Sequence, residues 1–356
     1  MLISFQVKNF LSFKDQTFSM EARNVRGKRD HVAEHRGRGD LLRFSCIEGM
    51  NATGKSNFVR AIQTARGLIV NGFVPVHEKQ ERGAAEFAFV IRLGKKKYRY
   101  VLGADLHSET FVYECLTDCT GREEKHIFYW SVHSGVYFQD ILPDSVWEKV
   151  IRSFGKGDAG HLFLKEMGTN KIVECSDNSK MLAVREVYLW FERNLHIISL
   201  KDHHLLPCDC QVSTYGNKNV LWLLNTLGLC EEHNEDLFEL SDGAQRIVSM
   251  ADVFLSDHDH DMYIIDDFGT HLHPLIARKC IDLYLTLAKD KNVQLIVTSH
   301  ETALLDLDWL RKDEIWFVVK ENGNSVLIPL DSLNVRTDLR IERAYLKGEL
   351  VPRLCD

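Results

Sequence analysis

The sequence predicts an α/β fold: a largely parallel, mixed sheet covered by helices, an antiparallel β lobe, and a largely helical insertion. Three observations carry this. Residues 236–320 alternate between helix-period and short apolar runs, residues 85–117 alternate apolar and polar with a period of two, and a glycine-rich loop near residue 50 separates an apolar run from a helix-like run. The 356 residues suffice for two modest domains, or for one carrying a large insertion.

The elements follow in chain order. Ile3, Phe5, Val7, Phe10, Phe13, Phe18 and Met20 alternate as a pair of strands, with a turn expected near Lys14-Asp15. Phe44-Ser45-Cys46-Ile47 is an apolar strand, and a helix is expected over 56–70. Phe87, Phe89, Ile91, a turn at Gly94-Lys95, then Tyr98, Tyr100, Leu102 and Phe111, Tyr113, Cys115 make a three-stranded meander. Residues 120–235 read as mixed and mostly helical, with helical spacing over 146–154 and 181–194 and a polar stretch over 201–219. Helices are then expected over 244–255 and 274–288, and strands over 262–265, 293–298, 315–319 and 326–329. The expected division is 1–119 as an N-terminal lobe, 120–235 as the insertion and 236–356 as a C-terminal lobe.

Composition excludes several classes. Hydrophobic residues make up 45% and charged residues 27%, as in an ordinary soluble protein. No run of about 18 apolar residues occurs, so no membrane span is expected. The opening Met1-Leu2-Ile3-Ser4-Phe5 reads as a strand and lacks a signal-peptide layout. Nine scattered cysteines, an odd number, then read as reduced thiols of a cytoplasmic protein. The net charge of -7 argues against coating nucleic acid by bulk attraction. A basic strip from Arg23 to Arg43, with Arg26, Lys28, Arg29, Arg36 and Arg38, reads first as a solvated loop; the alternative is a surface touching nucleic acid or a nucleotide.

Four motifs carry chemistry. Gly49-Met50-Asn51-Ala52-Thr53-Gly54-Lys55-Ser56 is a G-x-x-x-x-G-K-S phosphate loop between strand and helix. Its glycines let backbone N–H groups close around phosphates, and the helix presents its positive end. Lys55 is placed for the β- and γ-phosphates of ATP and Ser56 for Mg²⁺, while Asn51, Ala52, Thr53 and Asn57 complete the nucleotide-binding set. Met262-Tyr263-Ile264-Ile265-Asp266-Asp267 is a buried strand ending in acids at a sheet's C-terminal edge, where nucleotide sites lie. There Asp266 suits Mg²⁺ through water, and Asp267 suits an attacking water. Leu240-Ser241-Asp242-Gly243-Ala244-Gln245-Arg246 precedes a helix; a serine hydroxyl, a glycine N–H and a helix N-terminus make an anion site. Gln294-Leu295-Ile296-Val297-Thr298-Ser299-His300 is an apolar strand ending in Ser-His. Cys208-Asp209-Cys210, near His203, His204 and Cys230, departs from the usual Cys-x₂₋₄-Cys zinc spacing, and His258-Asp259-His260 reads as a polar loop.

The order of these motifs resembles the ATP-binding-cassette (ABC) ATPases, with L-S-D-G-A-Q standing where that superfamily has an L-S-G-G-Q signature. Phe268-Gly269-Thr270-His271-Leu272-His273-Pro274 narrows the resemblance to AAA15/AAA21-type ATPases, relatives of the RecF, Rad50 and OLD ATPase heads. The opening residues 3–13 and the tail from Asp313-Glu314-Ile315-Trp316-Phe317 to Arg336-Thr337-Asp338-Leu339-Arg340-Ile341-Glu342-Arg343-Ala344-Tyr345-Leu346-Lys347-Gly348 are similar to theirs. The resemblance implies an ABC-type P-loop ATPase head that closes ATP and Mg²⁺ between two copies of itself, head to tail. Ser241 and Gly243 would cap the γ-phosphate held by the other copy, and His300 would contact the γ-phosphate. It implies a bacterial anti-phage ATPase that controls a separately encoded toxin or nuclease effector, with a nucleic-acid or phage-protein trigger and no membrane partner. The tail of about 55 residues after His300 is short for a fused nuclease, since domains commonly need 100 residues or more. The alternative is a RecF/Rad50-like DNA-binding ATPase of DNA maintenance. One departure bears on rate: Asp267 stands where the family has glutamate. One methylene less withdraws the carboxylate by roughly 1.3 Å. A misplacement of that order costs about 10²-fold, so slow hydrolysis is expected.

Overall fold

The computed structural model describes residues 1–23, 27–34, 39–73, 83–133, 135–138, 160–170, 178–199, 214–229, 240–333, 335 and 339–350. In chain order the strands are β1 (Leu2–Phe10), β2 (Phe13–Ser19), β3 (Val32–Ala33), β4 (Leu41–Leu42), β5 (Phe44–Glu48), β6 (Ala85–Leu93), β7 (Lys96–Asp105), β8 (Thr110–Asp118), β9 (Lys125–Ser131), β10 (Gly135–Phe138), β11 (Leu195–Ser199), β12 (Met262–Phe268), β13 (Gln294–Ser299), β14 (Ile315–Glu321) and β15 (Asn324–Pro329). The α-helices are α1 (Lys55–Asn71), α2 (Phe163–Thr169), α3 (Ser179–Leu189), α4 (Asn217–Leu227), α5 (Asp242–Ser249), α6 (Ala251–Leu255), α7 (Pro274–Ala288) and α8 (Ile341–Leu346). No helix among the described residues is long and apolar enough to cross a membrane.

The chain forms two compact units. The first comprises Met1–Ser19, Asn57–Leu195 and Gly323–Ser325; the second comprises Met20–Ser56, His196–Asn322 and Val326–Asp356. The sequence segments 1–119, 120–235 and 236–356 each contribute residues to both.

The first unit holds a seven-stranded sheet in the order β10-β9-β8-β7-β6-β1-β2, with antiparallel neighbours. The meander of β6, β7 and β8 turns at Gly94, as its alternation predicts. The β1–β2 turn lies elsewhere than expected. Phe10 pairs with Phe13, so the chain reverses at Leu11-Ser12 rather than at Lys14-Asp15. Lys14 and Asp15 belong to the edge strand β2, and Asp15 lies opposite Lys8, a favourable cross-strand pair. The aromatic alternation builds the core: Phe5 packs against Phe89 at 4.7 Å and Phe58 at 5.8 Å between ring centroids. Residues 120–235 supply strands as well as helices, since β9 and β10 extend this sheet. The helix expected over 146–154 lies outside the described residues. Buried Glu114 of β8 accepts from the Tyr100 hydroxyl at 2.8 Å and from the N–H groups of Phe163 and Leu164, so a carboxyl caps the start of α2.

The second unit holds a six-stranded sheet in the order β11-β12-β13-β5-β14-β15. β12, β13, β5 and β14 run parallel, and their continuous apolar sequences are buried on both faces. Leu223 and Leu224 of α4, Ile247 and Val248 of α5, and Ile281 and Tyr284 of α7 pack on Ile265, Val297 and Phe317 of the strands. The single helix expected over 244–255 is broken at Met250. Ser249 turns its hydroxyl back to the carbonyl of Arg246 at 2.7 Å, a bond that competes with helix continuation.

Part of the basic strip is spent inside this unit, while Arg29 is exposed. Lys28 donates to the carbonyls of Leu307 and Leu310, Arg23 pairs with Asp331, and Arg43 donates to the carbonyls of Lys289 and Lys291. These side chains stitch the segment before β5 to the unit instead of forming a solvated loop. Arg26, Arg36 and Arg38 lie outside the described residues.

Candidate functional site

Three of the parallel strands deliver the motifs to one edge. β5 runs into the Gly49–Ser56 loop, β12 ends in Asp266-Asp267-Phe268, and β13 leads to His300. Because the strands are adjacent and parallel in the order β12-β13-β5, their C-terminal ends lie side by side.

The loop's residue types follow from its geometry. A Cβ on Gly49 would sit 2.6 Å from the Val318 carbonyl oxygen and 2.8 Å from the Thr53 hydroxyl, so only glycine fits there. Ala52 and Gly54 have φ of 62° and 117°, at positive angles that suit a tightly turning loop. Thr53 donates to the Met50 carbonyl at 2.8 Å and closes the loop's neck. Lys55 is buried, and its ammonium donates to the carbonyls of Gly49 at 2.6 Å and Met50 at 3.0 Å. It also lies 3.2 Å from Nδ1 of His300. In the first unit, Asn57 donates to the Ser12 hydroxyl at 2.8 Å.

The acids are organised by a residue whose role the sequence does not announce. Thr298 donates its hydroxyl to Oδ1 of Asp266 at 2.6 Å and accepts the N–H of Asp267 at 2.9 Å. Ser56 donates to the same Asp266 oxygen at 3.3 Å. The β12–β13 register shifts between Ile265 and Phe268, and Asp267 takes a φ of 66°. That left-handed kink aims the two successive carboxylates differently. Oδ1 of Asp267 lies 4.0 Å from Nε2 of His300. Ser56 and Asp266 together offer hard oxygen donors, the set that suits Mg²⁺.

The signature loop has a capped helix start. Ser241 is the N-cap of α5, its hydroxyl accepting from the Ala244 N–H at 3.3 Å, and Gly243 faces the His271 carbonyl. Arg246, one turn on, is 8% exposed; burial pulls its guanidinium down, and Asp267 and Asp242 oppose that shift. A buried arginine in the field of Asp267 thus links α5 to the acid pair. Beyond β12 the chain turns through Gly269 and His271, both at positive φ, and His273 caps α7 by accepting from the Leu275 N–H. Both histidines therefore serve the turn. Cys208, Cys210, His203, His204 and Cys230 lie outside the described residues.

Glu48 is a second residue that motif reading passes over. It is the acidic end of β5, 1% exposed, and burial pushes its carboxyl up to about 8 against the opposing Cys46 hydrogen bond and the field of Lys55. The signal was visible: an acid closing an otherwise apolar strand.

Residues 225–306 match the family described as "AAA domain, putative AbiEii toxin, Type IV TA system". That stretch holds Ser241, Gly243, Asp266, Asp267 and His300. No curated protein matches the chain. Similar solved structures include the SMC head domain from Thermotoga maritima (16% identity, 92% of this chain and 98% of that chain, TM-score 0.45). They also include an Smc head domain with an extended coiled coil bound to the C-terminal domain of ScpA derived from Pyrococcus furiosus (14%, 93% and 97%, 0.44). A third is cbiO1 from Clostridium perfringens, part of the ABC transporter complex cbiONQ (12%, 99% and 97%, 0.37). The chain's own strand order, with the phosphate loop, the acid pair and His300 at one sheet edge, makes a head of the ABC-type P-loop fold class. Over residues 225–306 the chain is similar to the AAA21 family.

Proposed function

We propose that this head binds ATP with Mg²⁺ between its own phosphate loop and the signature loop of a second copy, and hydrolyses it slowly. The meeting of Lys55, Ser56, Asp266, Asp267 and His300 at one sheet edge is the observation that supports this. Gly49, Asn51, Ala52, Thr53 and Gly54 cradle the phosphates through backbone N–H groups, and Lys55 neutralises the β/γ charge. Ser56 and Asp266 would hold Mg²⁺, which when bound offsets charge on the phosphate oxygens. Asp267 orients the attacking water, and His300 donates from Nε2 toward the γ-phosphate. The Ser241 hydroxyl, the Gly243 N–H and the start of α5 close over the γ-phosphate of the other copy. Asp267, being shorter than glutamate, makes turnover slow.

The match to a family whose description names a toxin system supports a further reading. The head is the cytoplasmic sensor or scaffold of a bacterial anti-phage defence system, holding a separately encoded toxin or nuclease effector in check until nucleic acid or a phage protein triggers it. Mass photometry with and without a non-hydrolysable ATP analogue tests the core of this. A dimer that forms with the analogue and is lost in Ser241→Arg is the expected result; a monomer at saturating analogue overturns it. Co-purification of an effector from its native host tests the regulatory part.

A further inference from the structure

The scheme above leaves one ionisable group at the loop unused. Glu48 ends β5, directly before Gly49. One of its carboxyl oxygens accepts from the Cys46 thiol at 3.5 Å. The other, Oε2, is buried without a hydrogen-bond donor. A carboxyl so placed is costly to ionise. The groups facing it can be named by element. Cys46 lies on β5 itself, Lys55 comes from α1, Ser299 brings a hydroxyl from β13, Glu301 follows β13, and Tyr345 comes from α8. Lys55 favours the carboxylate form; Glu301 opposes it.

We infer that Glu48 is a positioning residue for Lys55: where it is ionised it shares the lysine's positive charge while the phosphate loop is empty, and there it takes up a proton when a triphosphate claims that charge. This rests on the ATP-binding reading. The phosphates of ATP would meet the Lys55 ammonium, which also donates to the Gly49 carbonyl, one peptide unit from Glu48. They cancel the field that favours the Glu48 carboxylate and place like charge across the loop. A proton on Glu48 removes the conflict and leaves Lys55 to the phosphates alone. Binding is therefore linked to proton uptake wherever Glu48 starts ionised, which is above about pH 8. There, affinity falls by up to about tenfold per pH unit. Cys46 and Tyr345 do not share that window: burial lifts the thiol well above its ordinary value, and the phenol goes to about 12.

Calorimetry of the full chain with Mg²⁺ and a non-hydrolysable ATP analogue tests this, run at pH 7 and pH 8.5 in two buffers of different ionisation enthalpy. The expected result is little proton uptake at pH 7 and most of one proton at pH 8.5. Glu48→Gln, which keeps the shape and cannot ionise, takes up none and binds about tenfold tighter than the unaltered chain at pH 9. Glu48→Asp restores the uptake. Equal uptake by the unaltered chain and the Gln variant, or affinities that run parallel from pH 7 to 9, overturns the role of Glu48 while leaving ATP binding standing. Uptake by the unaltered chain that is the same at both pH values does so without any variant. Absence of binding at every pH overturns the nucleotide reading and this proposal with it.

Discussion

Nζ of Lys55 lies 3.2 Å from Nδ1 of His300, although 245 positions separate them in sequence. An ammonium has no lone pair to accept with, so Nδ1 is the acceptor and the imidazole proton sits on Nε2. That proton faces Oδ1 of Asp267 at 4.0 Å. The lysine thereby sets the tautomer of the histidine, and the two should separate cleanly by mutation. Lys55→Ala is expected to weaken ATP binding by about 10²-fold, the scale of a lost charge-assisted contact. His300→Ala is expected to leave affinity within about threefold and slow phosphate release by about 10²-fold. Fluorescent-nucleotide titration and single-turnover phosphate release measure the two effects.

Thr298 should matter more than its place in an apolar strand suggests. Thr298→Val keeps the shape, deprives Asp266 of a donor and leaves the Asp267 N–H without this acceptor. A cost of about 1–3 kcal/mol is expected in urea unfolding. Phosphate release should drop as well, with Thr298→Ser recovering both. A Val variant as stable and as active as the original chain would remove Thr298 from the site.

Asp267→Glu should accelerate hydrolysis by about 10-fold or more, because the longer side chain returns the carboxylate toward the attacking water. The positive φ makes this position less welcome to glutamate, at a cost of up to about 1 kcal/mol. A faster and slightly less stable enzyme is the expected pair of results. A rate that is unchanged or slower would count against the short-carboxylate explanation.

Gly49→Ala forces a methyl against the Val318 carbonyl, a backbone atom that cannot swing aside. Nucleotide affinity should fall by more than about tenfold and the melting temperature should drop by several degrees, roughly 1–3 kcal/mol of strain. Gly67→Ala, where a Cβ meets nothing within 4 Å, is the matched control. Differential scanning fluorimetry with and without ATP reads both.

Glu114 gives the β lobe a pH signature of its own. Burial raises its carboxyl to about 7, and the hydrogen bonds from Tyr100, Leu164 and Phe163 offset part of that rise. Between about pH 4.5 and 7 the folded state holds the proton that the unfolded chain has released. Stability therefore falls as pH rises through that window, by at most about 3 kcal/mol, and levels off above it. Glu114→Gln should flatten this slope. Urea midpoints at half-unit steps from pH 5 to 8, taken as the difference between the two proteins, isolate the contribution.

The motifs were legible because each is written in consecutive residues: Gly49, Gly54, Lys55 and Ser56 lie along one loop and the helix start after it, and Asp266-Asp267 lie near the end of one strand. Strand pairing was not legible in the same way. Thr298 gains its role only because β13 lies beside β12, and Glu48 only because burial removes its solvent. Lys14-Asp15 looked like a turn because the outer face of an edge strand and a loop have the same polarity. Lys28, Arg23 and Arg43 looked like surface charge because their partners, the carbonyls of Leu307 and Leu310, Asp331 and the end of α7, lie some 250 to 310 positions further along the chain.

β13 lies between β5 and β12 although it is the last of the three to leave the ribosome. Before residue 299 is made, β5, which leads to the phosphate loop, and β12, which carries Asp266, lack the strand that pairs with both. A chain truncated short of β13 keeps the phosphate loop, the signature loop and the acid pair in its sequence, but lacks His300 and the strand that sets the other motifs side by side.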